Sequence, residues 1–362
     1  MLQNERVFEK SISGCAISGI MNISGNKIDG TLIIKSIANM RERSNGLGGG
    51  FAAYGIYPEQ KDLYALHMMF LNTDKRYEVE ELLKKNFYIG SSERIPTRKV
   101  KQITDTPILW RYFVAIENKP SSISEDDYIV QTVMKINSEI EGVFVASSGK
   151  NMGVFKGVGF PEDIGRFYRL EEYEGYTWTG HGRFPTNTAG WWGGAHPFNI
   201  LDWSVVHNGE LSSYGINQRC LQGYGYVCTL MTDTEVVAYT MDLLARKHEL
   251  PLQAIGDVIA APLWSEIDRM PDGRKQYYTK LRQAYGSLLL NGPYSFIVAN
   301  SKQMIGITDR IRLRPLIGAT KGDFSYIATE EAAIREIAPD LDDVWIPKGG
   351  ELIIAELKGR RQ

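Results

Sequence analysis

Short apolar runs bounded by turn residues crowd both ends of this chain, and they set the class of fold available to it. "YSFIVAN", "MIGITD", "RPLIGAT", "FSYIATE" and "ELIIAEL" close the chain at hairpin-like spacing. Runs of this length, rich in β-branched and aromatic residues, read as strands. "CAISGIMNI" near the start reads the same way, and "GLGGGFAAYGIY" reads as a sharp turn into another strand. "LYALHMMFLN" and "LWRYFVAIE" are strand-like, and "VFVASS" with "MGVFKGVG" reads as a hairpin around "SGKN". Helical patterns lie between them. "DGTLIIKSIANMRERSNG" has Asp29 as its candidate N-cap and Gly46 beyond its end. "YEVEELLKKNF", "DDYIVQTVMKINSEIEG" and "TDTEVVAYTMDLLARKH" follow, the last with Thr232 or Asp233 at its start. Sheets at both ends with helices between predict a layered α+β body of two stacked sheets covered by helices.

Composition removes several function classes. At 362 residues, 43% hydrophobic and 23% charged, the chain reads as an ordinary globular body of one large or two modest domains. A net charge of -2 carries no electrostatic footprint for nucleic acid or an anionic membrane. The glycines of "GLGGG" come after a helix and before a strand, the wrong order for a dinucleotide fingerprint, and no Gly-Lys-Ser/Thr follows them. The 3 cysteines, Cys15, Cys220 and Cys228, include no C-x-x-C pair, which excludes a zinc ribbon and an iron–sulfur site. Their low, odd number argues against a secreted disulfide framework. The opening residues mix Glu5, Arg6, Glu9 and Lys10 without an apolar segment, unlike a secretory signal. No stretch approaches the ~20 apolar residues that span a bilayer. The expectation is a cytoplasmic protein with no bound metal.

Four polar clusters stand out in the remainder. Cys15 follows a small Ser13–Gly14 pair. As a buried thiol it is unremarkable. If residues 1–14 are removed, however, it carries both a thiol and an α-amine. That amine titrates at roughly 7.7–8.0, close enough to neutrality to take the thiol proton. Arg183 lies in "GHGRFPTNT", where a guanidinium either grips a carboxylate with paired hydrogen bonds or forms a surface ion pair. "VVHNGEL" places Asn208 and Gly209 at a strand end, either as a hairpin turn or as donors to an oxyanion. Asp233 in "TDTEV" either caps its helix or holds an ammonium. The stretch from "GYTWTGHGR" to "VVHNGEL" reads as loop-rich and strand-poor, which is where sites concentrate.

Taken in order, these clusters resemble the class II glutamine amidotransferases of the N-terminal nucleophile hydrolase superfamily. The matching elements are "CAISG", "HGR", "AHPF", "HNGE" and "TDTE", with "RLRPLIG", "YIATEEAAI" and "IPKGGELI" similar to the closing strands. One residue departs from the pattern: Ala16 stands where the family usually has glycine. The resemblance implies a four-layer αββα sandwich over residues 15–362, with an α/β insertion at about 57–175 and a leader, 1–14, that is removed. It implies that Cys15 attacks the glutamine side-chain amide, giving a thioester and ammonia. Asn208 and Gly209 would hold the oxyanion, Arg183 the α-carboxylate and Asp233 the α-ammonium. Thr186, Asn187 and His207 would line the substrate site, while His181, His196 and His207 orient its loops. A Cys–His hydrolase is the competing use of those histidines.

The segment "MGVFKGVGFPEDIGRFYRLEEYEGYTWTGHGRFPTNT" is similar in finer detail to the amidotransferase domain of glutamate synthase. This implies a synthase partner that carries FMN and an iron–sulfur cluster and receives the ammonia, with no cofactor on this chain. A related synthase, such as the N-methylglutamate system, and a non-catalytic regulatory subunit are the alternatives. Trp191 and Trp192 would cover the glutamine pocket, face the synthase or stiffen their loop. Arg310, Arg312 and Arg314 form a basic run, and Cys220 and Cys228 are expected to be inert.

Overall fold

The computed structural model describes residues 14–184 and 190–359. Two antiparallel sheets form its centre. The first has seven strands in the order Asp343–Trp345, Ile317–Lys321, Phe324–Ala328, Ala16–Asn22, Thr177–Gly182, Gly49–Tyr54 and Met152–Gly157. The second has five, in the order Phe198–Ile200, Trp203–Gly209, Tyr294–Ala299, Gln303–Thr308 and Ile353–Glu356. Helices Thr31–Asn39, Pro161–Phe167 and Glu331–Arg335 cover the outer face of the first sheet. Asp233–Asp242 and Leu252–Ile259 cover the outer face of the second. The layer order is αββα.

Strand alternation sorts the side chains between these layers. Ala16 and Ile20 point outward and pack with Ile33, Ile37 and Trp178 beneath the helices. Ile17 and Met21 point inward and meet Val206, Ile297 and Met304 of the other sheet. The same alternation puts Cys15 on the inner side of its strand. It puts Asn208 on the inner side of the opposing strand, with Val206. The methyl of Ala16 is buried in the outer core, and its register partner is Gly182.

A separate four-stranded sheet takes Phe87–Arg94, Ile108–Ile116, Tyr64–Phe70 and Val143–Ser147, in that order. Helices Thr73–Lys84 and Glu125–Glu139 pack on it, capped by Asn72 and Ser124, whose side chains accept from Lys75 N–H and Asp127 N–H. All of these elements fall inside 57–175. Met152–Gly157 and Pro161–Phe167 of the same stretch belong instead to the first sheet and its helix layer.

Four local readings need correction. "VFVASS" and "MGVFKGVG" do not form a hairpin: one strand pairs with Tyr64–Phe70 and the other with Gly49–Tyr54, in different sheets. The first helix ends at Asn39 rather than near Gly46. Tertiary bonds hold the residues beyond it, where the Ser44 hydroxyl donates to Arg183 O and Arg43 Nε donates to Cys15 O. Asp29 does not cap that helix in the N-cap position; Gly30 holds it, while Asp29 accepts from Thr31 N–H at 2.8 Å. The supposedly strand-poor middle contains Thr177–Gly182, Phe198–Ile200 and Trp203–Gly209. Every residue of Thr177–Gly182 is buried, because sheet faces and helices cover both sides. A strand covered on both faces shows no apolar–polar alternation to read. No helix among the described residues is long and apolar enough to cross a membrane.

Candidate active site

The candidate residues converge at one end of the space between the two sheets. Ala16 pairs with Gly182, so the chain positions next outward are Cys15 and Arg183. The thiol of Cys15 is partly accessible and lies 3.4 Å from Phe184 N, whose N–H donates to it. Burial pushes the thiol pKa up, and the Glu210 carboxylate adds to this; the Phe184 N–H and the Arg183 and Arg314 guanidiniums oppose it. The thiol is therefore protonated at neutral pH and needs a base to become a nucleophile. The backbone of Cys15 is anchored from the first helix layer: Arg43 Nε donates to Cys15 O at 3.2 Å, and Arg43 is itself held by Glu330 at 2.8 Å.

Arg183 is buried, although a guanidinium is normally at the surface. Its backbone bridges the Gly48 carbonyl and the Asn45 N–H. Burial draws its pKa down, opposed by the nearby charges of Cys15, Asp233 and Glu210. These named neighbours place Arg183 within the electrostatic reach of both the thiol and the Asp233 carboxylate.

Asn208 is fully buried, yet neither its amide nitrogen nor its amide oxygen has a hydrogen-bond partner among the described residues. Leaving buried amide atoms unpaired costs about 1–3 kcal/mol each. Such a cost in a native structure needs a reason, and a ligand that completes the bonds supplies one. Gly209 follows with φ +139, and a Cβ there would lie 1.9 Å from Pro293 O. No other residue fits. The pair is not a hairpin turn: both residues remain in register with Ser295 and Tyr294 of the neighbouring strand.

The Asp233 carboxylate opens the helix Asp233–Asp242 but does not cap it; Thr232 is the cap, accepting from Thr234 N–H. Asp233 Oδ2 accepts from Leu211 N–H at 2.7 Å, and Oδ1 lies 3.6 Å from His207 Nδ1. Burial alone would raise its pKa. His207 and the bonds from Leu211 N–H and Thr234 overcome this and leave it low, so Asp233 is ionised.

The three histidines tie the layers together. His181 Nε2 donates to His207 O at 2.9 Å, joining the two sheets. The Thr234 hydroxyl lies 2.9 Å from His207 Nδ1 and 3.2 Å from His196 Nε2, so one hydroxyl joins two rings to the helix. The rings of His181 and His196 meet at 4.0 Å between centroids, tilted by 39°. Burial pushes His181 down to about 3 and His196 well below its ordinary value, so both rings are neutral. The ring of His207 faces Thr234 of the helix layer and lies beside Phe296 of the neighbouring strand, on the opposite side of its strand from Asn208. Thr186 and Asn187 lie outside the described residues. Trp191 packs on Phe144 and Trp192 on Phe167, so both stiffen their loop.

Sequence reasoning missed Phe184, Arg43, Thr234 and Glu330 as supports of this site. All four stand in stretches singled out above, but as apolar or helix-flanking residues without a local polar role of their own. A cavity of about 480 Å³ elsewhere, lined by Tyr64, Asp126, Asp202, Asp242 and Arg246, contains none of these residues.

A thiol, an unpartnered amide, a buried guanidinium and an ionised carboxylate therefore share one end of an αββα sandwich. The family model for class II glutamine amidotransferases matches residues 50–225. The chain carries a class II glutamine amidotransferase domain. An uncharacterized protein of Archaeoglobus fulgidus is 53% identical over 98% of this chain and 95% of its own length. A glutamine–fructose-6-phosphate aminotransferase of Vibrio vulnificus is 27% identical over 54% of this chain, which spans 32% of that protein. An amidophosphoribosyltransferase of Methanocaldococcus jannaschii is 26% identical over 60% of this chain, which spans 42% of that protein.

Proposed function

We propose that this amidotransferase hydrolyses the glutamine side-chain amide through Cys15 and passes the ammonia to a separate synthase of the glutamate synthase type. The buried, unpartnered amide of Asn208 carries this reading. Glutamine offers one carboxylate, one ammonium and one amide. Arg183 matches the carboxylate and Asp233 the ammonium. The Asn208 amide and the Gly209 N–H take the oxygen that becomes negative as the amide is attacked.

In this reading residues 1–14 are removed and the α-amine of Cys15 accepts the thiol proton. Sulfur bonds to the amide carbon, the carbon–nitrogen bond breaks, and the nitrogen leaves as ammonia with that proton. Water then cleaves the thioester, giving glutamate and restoring the thiol. The protonated thiol, kept so by burial, makes a neighbouring base necessary. His207 and the other histidines are occupied in holding the layers, which disfavours a Cys–His hydrolase.

The acceptor half rests on the likeness of residues 152–188 to glutamate synthase. FMN and iron–sulfur belong on that partner and none on this chain. The test combines the protein with the flavin-bearing synthase subunit of its own organism. Glutamine-dependent formation of glutamate from 2-oxoglutarate supports the reading. Coupling only to methylamine-dependent N-methylglutamate formation would move the chain to that related synthase. No ammonia release in any combination would leave a regulatory subunit.

A further inference from the structure

Lys156 is a lysine where the fold has no obvious need of one. It lies on Met152–Gly157, faces inward with Met152 and Val154, and is 2% exposed. Its ammonium donates to Gly193 O at 2.9 Å and sits over the Phe198 ring, 4.3 Å from the centroid. Tyr168 OH donates to the Lys156 carbonyl, fixing the backbone from the other side. Among the described residues, the turn around Gly193 has few other polar anchors. Trp191 leans on Phe144, Trp192 on Phe167, and Ala195 N–H reaches Trp192 O at 3.4 Å. This turn leads into His196, whose ring packs at a tilt on that of His181, the residue two before Arg183 in the chain. A Cβ on Gly50 would lie 2.3 Å from His196 O and 2.6 Å from Lys156 Cβ, so the turn and the lysine strand are packed without slack.

We propose that Lys156 is a positioning residue for the glutamine site: its buried amine holds the Gly193 carbonyl and so fixes residues 190–196 against His181 and Arg183. This rests on the reading of the Arg183 end as the glutamine site. The charged groups that bear on the amine are Glu235 from the helix Asp233–Asp242, which favours the ammonium, and Arg183, which opposes it. His196 is the remaining titratable neighbour and is neutral. Burial dominates and brings Lys156 down to about 7. The bond to Gly193 O is thus charge-assisted below neutrality and an ordinary amine bond above it, which makes it weaker.

Lys156→Met keeps the length and removes the donor. The expected result is a glutamine KM raised by about tenfold, as for loss of a charge-assisted hydrogen bond, with kcat changed less than about threefold. Hydrogen exchange of residues 190–196 should speed up while the two sheets keep their protection. Unchanged KM and unchanged exchange at 190–196 would overturn the proposal, as would equal losses of kcat and protection throughout a folded variant. If Lys156→Met does not fold, the wild-type protein decides. Exchange of 190–196, corrected for its intrinsic pH dependence, should lose protection between pH 6 and 8.5, and constant protection would overturn the proposal. Exchange reads the turn without turnover, so a wild type that released no ammonia would remove the glutaminase reading while leaving this test intact.

Discussion

Two polar regions of this molecule obey opposite rules. Around the 480 Å³ cavity, the buried charged and hydroxyl groups are bonded to protein partners. Tyr64 OH donates to Asp126 at 2.7 Å, Arg246 holds Asp242 through two bonds of 2.7 Å and Asp127 at 3.0 Å, and Asp202 accepts from Ser301. At the Cys15 end, Asn208 is buried with neither amide atom paired among the described residues, and the hydroxyl of its register partner Ser295 has no partner among them either. A closed network contributes stability and fixes the packing of helices and strands. An open one costs stability and is explained by a molecule that arrives to close it. A sizeable cavity is therefore not automatically the active site; the unmet bonds point elsewhere.

Substitutions should separate the two regions. The largest effect is expected for Cys15→Ala, which abolishes glutamine-dependent ammonia release while leaving circular dichroism and the unfolding midpoint unchanged. Asn208→Ala should lower kcat by ~10²-fold with little change in KM, as for loss of one oxyanion donor. It should not lower stability, since it removes an amide with no partner among the described residues. Arg183→Ala should act mainly on KM for glutamine, raising it by about ten- to a hundredfold. A fall in kcat alone would mean that binding and catalysis are assigned to the wrong residues. Arg246→Met reverses the pattern. It leaves Asp242, which is fully buried, without its cation and should cost about 3 kcal/mol in denaturant unfolding, with glutamine KM unchanged.

The smallest effect is in pH dependence. His181 is held near 3 by burial, far below the unfolded value of roughly 6.5. The unfolded chain therefore binds more protons than the folded one between those limits. The stability from this ring is complete above about 6.5 and falls as the pH drops toward 3. A His181→Phe variant should show a shallower loss of unfolding free energy over that window. An unchanged slope would mean that His181 does not titrate differently in the two states.

The site was more legible in the sequence than the fold around it. Cys15, Arg183, Asn208 and Asp233 sit in short, ordered motifs whose polar residues have few structural uses in that combination. The strands at the chain ends were readable because their apolar runs are flanked by turn residues. Thr177–Gly182 was not, since a strand covered on both faces loses its alternation and this one contains two glycines and a histidine. The hairpin read around Ser148–Asn151 failed for a different reason: the turn is local, but the sheet each strand joins is decided by partners far away in the chain. Lys156 was invisible because a single lysine in an apolar strand looks like its solvent face. Only the tertiary structure places Gly193 O and Phe198 around it.

The central claim is that Cys15 acts as an N-terminal nucleophile, with its own α-amine as the base. The most direct test is the intact mass of the protein in the preparation that releases ammonia from glutamine. The expected mass lacks residues 1–14, which places Cys15 first. Full-rate ammonia release by a protein that retains those residues would contradict it.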